Sequence, residues 1–335
     1  MRLLRNTLIF FGLTLLLVLA GIVCAVTLVM RGPSVHARDL MTLSLRETSA
    51  LYWIPDLFLS ETEIADIVAS NTMEFREQDI DTEKIVIETP AEDDPTPPIE
   101  VFEISGATYV GDVMLIHQPS RVFIGHKGPY DGSAGKVVSE ICELNGAIAG
   151  INGGGFLDPN GMGNGGTPDG FVIAGGQIAF GHGAGAHVTI GINSEDKLII
   201  GRMTAQEALS NGLRDAVCVQ THYAPVLIVN GEAQNVSGSG GGINPRTAIG
   251  QSADGTIIFV TTDGRQANSL GSTFSDMIQI MQDLGAVNAA SLDGGSSTQM
   301  YYEGEYLNTP YALSGPRIVP NAFLVRPEEE VDTDG

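Results

Sequence analysis

Residues Leu8 to Met30 form an unbroken apolar run of 23 residues without a charge. In a hydrocarbon layer every backbone polar group needs a partner within the segment, so such a run can only be a helix. It is long enough to cross a ~30 Å bilayer core. The apolar stretch of a signal peptide is usually ~7–15 residues, so the run reads as an uncleaved anchor. The competing reading is a signal cleaved near Ser34-Val35-His36-Ala37. Arg2 and Arg5 precede the run, and Arg31, Arg38 and Arg46 follow it. With cations at both ends, the positive-inside rule does not set orientation. Cys24 lies inside the run behind Gly21-Ile22-Val23, a poor lipobox, and reads as one more apolar residue.

The chain carries 40 acidic against 17 basic residues, a net charge of −23. That excludes the basic footprint of a nucleic-acid binder. Residues 74–100 hold ten acids, two bases and a run of prolines, the composition of a solvated linker. The tail from Pro327 holds five acids and no base. The expected organisation is therefore a tail and transmembrane anchor over 1–33, a helical stalk over 34–73 and an acidic linker over 74–100. One folded domain over 101–326 and a disordered acidic tail over 327–335 follow.

In the stalk, Leu40, Leu43, Leu45, Leu51, Trp53 and Ile54 suit one amphipathic helix, and Ser60-Glu61-Thr62-Glu63 is a capping box opening a second. From Val101 short β-branched runs alternate with glycine, which numbers 42 in the chain. Asn230-Gly231 and Asp254-Gly255 mark hairpin turns. Three helices interrupt the strands: one around Val137–Leu144, one opened by the Thr204–Glu207 capping box, and one capped by Ser272 with Phe274, Met277, Ile278 and Met281 on its apolar face. The fold class is α+β, a many-stranded mixed sheet domain with a few helices, behind a transmembrane helix and helical stalk. Cys142 and Cys218 fall on a predicted helix and a predicted strand, as free buried thiols.

Three patches carry chemistry. Gly150-Ile151-Asn152-Gly153-Gly154-Gly155 follows a strand, and its glycines let backbone N–H groups approach an anion, or simply make a tight turn. Asn244-Pro245-Arg246-Thr247 and Asp263-Gly264-Arg265 put an arginine near one end of each of two strands, a fork suited to phosphate or carboxylate oxygens. Leu292-Asp293-Gly294-Gly295-Ser296-Ser297 ends an apolar strand on a carboxylate among small residues. Asp158-Pro159-Asn160-Gly161 with Asn164 offers oxygen ligands without EF-hand spacing and reads as a turn. His182 and His187, five apart in a glycine-rich loop, suit a mobile loop or a metal site, and the spacing is a weak metal signal. No cofactor is expected, and a divalent metal such as calcium has no clear motif.

Taken in order, Asn-Gly-Gly-Gly-Phe, Arg-Thr-Ala-Ile-Gly, Thr-Asp-Gly-Arg and Leu-Asp-Gly-Gly-Ser-Ser resemble the signature series of the phosphodiester glycosidase domain family, over roughly Gly106 to Val325. The anchor and acidic linker look like the bacterial, exopolysaccharide or cell-wall form. The resemblance implies an extracellular hydrolase of α-N-acetylglucosaminidase type that cleaves a glycosyl-1-phosphodiester at the anomeric C–O bond. It places the domain outside the cell membrane, on a glycosyl-phosphate or cell-surface glycan. Asp293 then acts at the anomeric centre and Asp263 is its partner carboxylate. Arg246 and Arg265 then bind the phosphate, and Asn152, Gly153, Gly154, Thr247, Gly294, Gly295 and Ser296 complete the substrate site, holding sugar hydroxyls or phosphate oxygens. Asp169 and His222 are further candidates. Two other readings stand beside it: a metal-assisted phosphodiesterase cutting P–O, and a non-catalytic glycan-binding module. The sequence leaves the oligomeric state unassigned.

Overall fold

A computed structural model of the chain describes residues 2–48, 51–73, 79–87, 96–159, 163–220, 226–311 and 315–328. Three helices lead: α1 (Arg2–Arg31), α2 (Val35–Arg46) and α3 (Glu61–Ser70). Ser60 and Glu63 make the capping box of α3 as expected. Helix α2 stops at Arg46 rather than running on to Ile54, and Pro55 opens a short 3-10 turn, Pro55–Leu57. Leu43, Leu59, Ile64 and Ile67 close over Met30 at the end of α1.

These helices lie on the domain rather than stand apart from it. The hydroxyl of Ser44 accepts from Ile243 N at 2.8 Å, and Asn71 Oδ1 accepts from Ser239 N at 3.1 Å. The segment that follows also departs from a solvated linker where it is described. Ile85 is buried, Val86 N donates to Ala253 O, and Lys84 Nζ reaches Asn230 O, both at 2.8 Å. The reason is compositional: Ile80 and Ile85 punctuate the acids and pack on the domain. Residues 74–78 and 88–95 of that segment lie outside the described residues.

The domain contains strands β1 (Ile99–Ser105), β2 (Val110–Ile116) and β3 (Val122–His126), helix α4 (Val138–Leu144), and β4 (Ala149–Asn152). Then come β5 (Val172–Ala174), β6 (Gln177–Phe180), β7 (His187–Asn193), β8 (Leu198–Met203), α5 (Ala205–Ser210) and β9 (Leu213–Val219). The rest is β10 (Val226–Val229), β11 (Glu232–Ala233), β12 (Arg246–Ser252), β13 (Ile257–Thr262), α6 (Phe274–Asp283), β14 (Ala286–Ser291), β15 (Met300–Tyr302), β16 (Glu305–Tyr306) and β17 (Asn321–Val325). They form three sheets, ordered β1-β2-β13-β12-β14-β10-β11, β16-β15-β4-β17-β3 and β6-β5-β9-β7-β8. The class is α+β, and among the described residues every ladder between these strands is antiparallel. A core of Ile, Val and Phe, including Ile151, Ile190, Phe259 and Phe323, is shared by all three sheets.

Helix α6 is capped by Thr273, not Ser272: Thr273 and Asp276 make a reciprocal capping box. Ser272 instead sits one residue outside, its hydroxyl 2.7 Å from that of Thr262. Both hairpin turns form, with Asn230, Gly231 and Gly255 at positive φ. Cys142 and Cys218 are buried and free, while Cys24 is exposed on α1.

Candidate active site

Strand β14 delivers Asp293 to the site. Its last residue pairs with Ala248 of β12. Past the strand end, Leu292 N donates to Thr247 O and Gly295 N donates to Pro245 O, both at 2.8 Å. Asp293 N donates to Gly153 O at 3.3 Å. The turn is thereby fixed between β12 and the loop after β4, and Gly295 takes φ +62° to make it. A cavity of about 220 Å³ opens in front of Asp293. Its wall includes Asp169, Gln220, Arg246, Arg265, Gly294, Gly295 and Ser296 from the domain, and Glu47 from the end of α2.

Asp293 is the electrostatic centre of this cavity. Burial is the main cause that pushes its carboxyl up to about 7, aided by the charges of Asp158 and Asp169 and opposed by a hydrogen bond from Ser297 and by Arg317. Asp169 is buried and is held by Gln220 Nε2 at one oxygen and by its own N–H to Gly155 O at 2.9 Å. Asp158 also lines the cavity but is neutralised by Arg317 at 2.6 Å. The cavity therefore holds one carboxyl able to carry a proton at neutral pH beside a second carboxyl fixed in place.

Both expected arginines line the cavity, and both are engaged. The Arg246 guanidinium stacks on Phe274 at 3.7 Å, and its nitrogens donate to Ser272 O at 3.1 Å and Gly242 O at 2.6 Å. Arg265, at φ +59°, turns back so that Nη2 donates to Asn244 Oδ1 at 2.9 Å. Burial pulls its pKa down and the charge of Glu47 works against that. Glu47 lies against the pair. Its Oε2 accepts from Arg246 Nη2 at 3.1 Å and Asn244 Nδ2 at 2.7 Å, its Oε1 from Gly242 N at 2.8 Å, and its main-chain carbonyl from Arg265 Nη2 at 3.4 Å.

Other expected residues are placed elsewhere. Asp263 does not line the cavity. Its carboxylate accepts from Thr309 N at 3.0 Å and Asn308 Nδ2 at 3.2 Å, and burial raises its pKa. The N–H groups of the glycine loop are spent inside the protein: Gly153 N on Asn321 O, Gly154 N on Asn321 Oδ1 and Gly155 N on Cys218 O. A Cβ at Gly154 would stand 2.5 Å from Cys218 O, so these glycines permit close packing rather than a ligand nest. Asn152 and Thr247 are fully buried and bond to each other at 2.8 Å. His222 lies outside the described residues. Among the described residues no three His, Cys, Asp or Glu side chains gather as metal ligands. Glu47 and Gln220 were not foreseen. Neither stands in a motif, and only the folded chain brings them to the cavity.

The fold and the site define an α+β domain of three antiparallel sheets with an arginine- and carboxylate-lined cavity. Residues 145–326 match the phosphodiester glycosidase family, and the chain belongs to it. The chain has the fold of the zebrafish N-acetylglucosamine-1-phosphodiester alpha-N-acetylglucosaminidase catalytic domain, a structure described as auto-inhibited by its pro-peptide. The two are 19% identical, the match covers 72% of this chain and 87% of that one, and the TM-score is 0.57. A putative exported protein from Burkholderia pseudomallei K96243 is also similar, at 18% identity over 65% of this chain and 74% of that one, with a TM-score of 0.47. Among curated proteins, the SPbeta prophage-derived uncharacterized protein YomE of Bacillus subtilis (strain 168) is 38% identical over 90 residues. That match spans 27% of this chain and 14% of that protein's length.

Proposed function

We propose that the chain is a membrane-anchored hydrolase, with its domain on the outer side, that cleaves glycosyl-1-phosphodiesters at the anomeric carbon–oxygen bond. Helix α1 is long and apolar enough to cross a membrane, which supports the anchor. The observation that carries the chemistry is Asp293, with its carboxyl raised to about 7, in one cavity with Asp169 and two arginines.

In this reading the phosphodiester lies against Arg246 and Arg265, which stabilise the charge that develops as the phosphomonoester leaves. Asp169 faces the anomeric carbon as positive charge builds there. Asp293 moves the proton, giving it to the leaving oxygen or taking it from the attacking water. The water oxygen bonds to the anomeric carbon, the anomeric carbon–oxygen bond to phosphate breaks, and sugar and phosphomonoester are released. Asp263 supports the fold of the 308–309 loop rather than the reaction.

Glu47 stands where an anionic substrate needs the arginines. The zebrafish relative is described as auto-inhibited by its pro-peptide. We extend that idea to this chain: Glu47 is an internal carboxylate that substrate must displace.

The test is the full chain in detergent, given glycosyl-1-phosphodiesters in ¹⁸O-water. Free sugar carrying the label, with unlabelled phosphomonoester, supports the reading. Sugar-1-phosphate as product, or no turnover by wild type and Glu47→Gln alike, refutes it.

A further inference from the structure

The segment after α2 turns apolar side chains outward. Leu51 is 41%, Trp53 48% and Leu57 67% exposed, and Tyr52 is exposed beside them. Its neighbours Phe58 and Leu59 point the other way, into the cluster that closes over α1. The exposure is therefore not that of an unfolded segment. One side of the segment is packed and the other is an apolar and aromatic surface of the kind that marks an interaction site.

The position of this surface along α1 says what covers it. Val26 and Met30, in the last turns of α1, pack with Leu43, Leu45, Phe58 and Leu59. Thr42 Oγ1 lies 3.6 Å from the Met30 sulfur. The collar of α2, the 51–59 segment and α3 thus grips α1 near its C-terminal end and leaves the rest bare. The bare, uncharged stretch from Leu8 to Ala25 is about 27 Å long at ~1.5 Å per residue, close to a bilayer core's thickness. The outward residues lie in the collar, at the level where the span leaves that core. Tryptophan and tyrosine concentrate at this level because an apolar ring with a polar edge suits the headgroup layer.

Charge narrows the partner further. Arg31, Arg38 and Arg46 surround the collar, and each is paired with a carboxylate: Glu63 at 2.8 Å, Asp39 at 2.8 Å and Asp56 at 2.6 Å. The surface offers aromatic and aliphatic groups rather than spare cations.

We infer that Leu51, Tyr52, Trp53 and Leu57 form a membrane-interface contact that seats the collar in the headgroup layer of the same bilayer α1 enters. This rests on the anchor reading of α1, not on the catalytic reading. It has a consequence for the cavity. Trp53 is six residues from Glu47, so their Cα atoms are at most about 21 Å apart. The cavity is held at the membrane surface, within reach of phosphodiesters tethered there.

Trp53 is the only tryptophan in the chain, so its emission reports on this surface alone. The full chain is reconstituted in phosphatidylcholine vesicles, with and without acyl chains brominated near the glycerol end. The expected result is blue-shifted emission that brominated lipid quenches, unchanged in high salt and weakened by Leu51→Ser with Leu57→Ser. Bromination near the chain ends should quench less. Water-like emission, quenched by iodide and not by bromine, overturns the inference. So does a blue shift without bromine quenching, which would place Trp53 against protein, such as a second copy. Extraction by alkaline carbonate reports on α1 separately. A chain that washes off refutes the anchor and this inference together; a retained chain with unquenched Trp53 refutes the contact alone.

Discussion

The side-chain amide of Asn152 donates from Nδ2 to the main-chain carbonyl of Asp293 at 2.6 Å. Its other end is equally committed. Oδ1 accepts from Thr247 Oγ1 at 2.8 Å and from Gln299 N at 3.1 Å. One buried amide thus ties the end of β4 to β12, to the approach to β15 and to the turn that carries Asp293. Asn152 positions the carboxyl without touching the cavity.

Replacing Asn152 by alanine strands three buried polar groups: the Asp293 carbonyl, the Thr247 hydroxyl and the Gln299 N–H. Each unsatisfied group costs ~1–3 kcal/mol, so Asn152→Ala should lose about 3 kcal/mol or more. Denaturant unfolding measures this. A loss below about 1 kcal/mol would show that water replaces the amide and that the tie is dispensable.

Glu47 gives a prediction of opposite sign. Glu47→Gln keeps the size and an acceptor but removes the charge facing Arg246. Charge-assisted hydrogen bonds contribute ~1.5–3 kcal/mol each, so an anionic substrate should gain roughly tenfold or more in kcat/KM. The gain should come through KM. An unchanged or lower kcat/KM would mean that Glu47 belongs to the working site rather than blocking it.

The two arginines, equivalent in the sequence, should separate on substitution. Arg246→Lys loses the stack on Phe274 and the fork onto Ser272 and Gly242, and should lower Tm. Arg265→Lys loses bonds to the Asn244 side chain and the Glu47 carbonyl, and should lower activity with a smaller fall in Tm. Paired melting and kinetic measurements decide. Equal falls in Tm for both would remove the distinction.

These contrasts show how far the sequence could be read. The short β-branched runs, the capping boxes at Ser60 and Thr204 and the two Gly hairpin turns are local signals, and local structure followed them. Arg246, Arg265 and Asp293 were visible because each stands next to glycine or proline at a strand end, and the fold brings them to one cavity. Two local readings slipped, the helix expected to run on to Ile54 and the cap that falls on Thr273 rather than Ser272; the failures at the site were long-range. Asn-Gly-Gly-Gly reads as an anion loop until Asn321 and Cys218 are seen to take its N–H groups. Asp263 reads as a partner carboxylate until the 308–309 loop closes on it. Glu47 lies about 200 residues from Arg246, and no spacing rule connects them.

Stability should carry the mark of Asp293. Its carboxyl ionises near 4 in the unfolded chain and is pushed up to about 7 in the fold. Between those values the folded state holds a proton that the unfolded state has lost, so the contribution is full below about 4 and falls away as pH rises to about 7. Asp112, pushed up to about 6 by burial and then by the charges of Asp263 and Glu103, adds the same sign over a narrower window. The clean measurement is therefore a difference. Wild type should lose stability relative to Asp293→Asn between pH 4 and 7, and the two should run parallel above it. Parallel curves throughout would mean that Asp293 is not buried as a neutral acid.

Asp293→Asn also tests the chemistry. Asparagine keeps the shape and a hydrogen-bonding oxygen for Ser297, and leaves the tie through Asn152 untouched because that tie is to the main chain. It cannot move a proton. If Asp293 gives or takes the proton, kcat should fall by ~10²–10⁴-fold with little change in substrate affinity. The pH profile adds a second readout. A proton donor near 7 gives wild-type activity that declines as pH rises through that value, and a base near 7 gives activity that rises. Asp293→Asn should lose this limb in either case. Asp169→Asn should also lower kcat but keep the limb, moved to lower pH, because the titrating group remains while the Asp169 charge that helps raise it is gone. A variant at position 293 that retains more than about a tenth of kcat and keeps the limb would move the proton-transfer role away from Asp293.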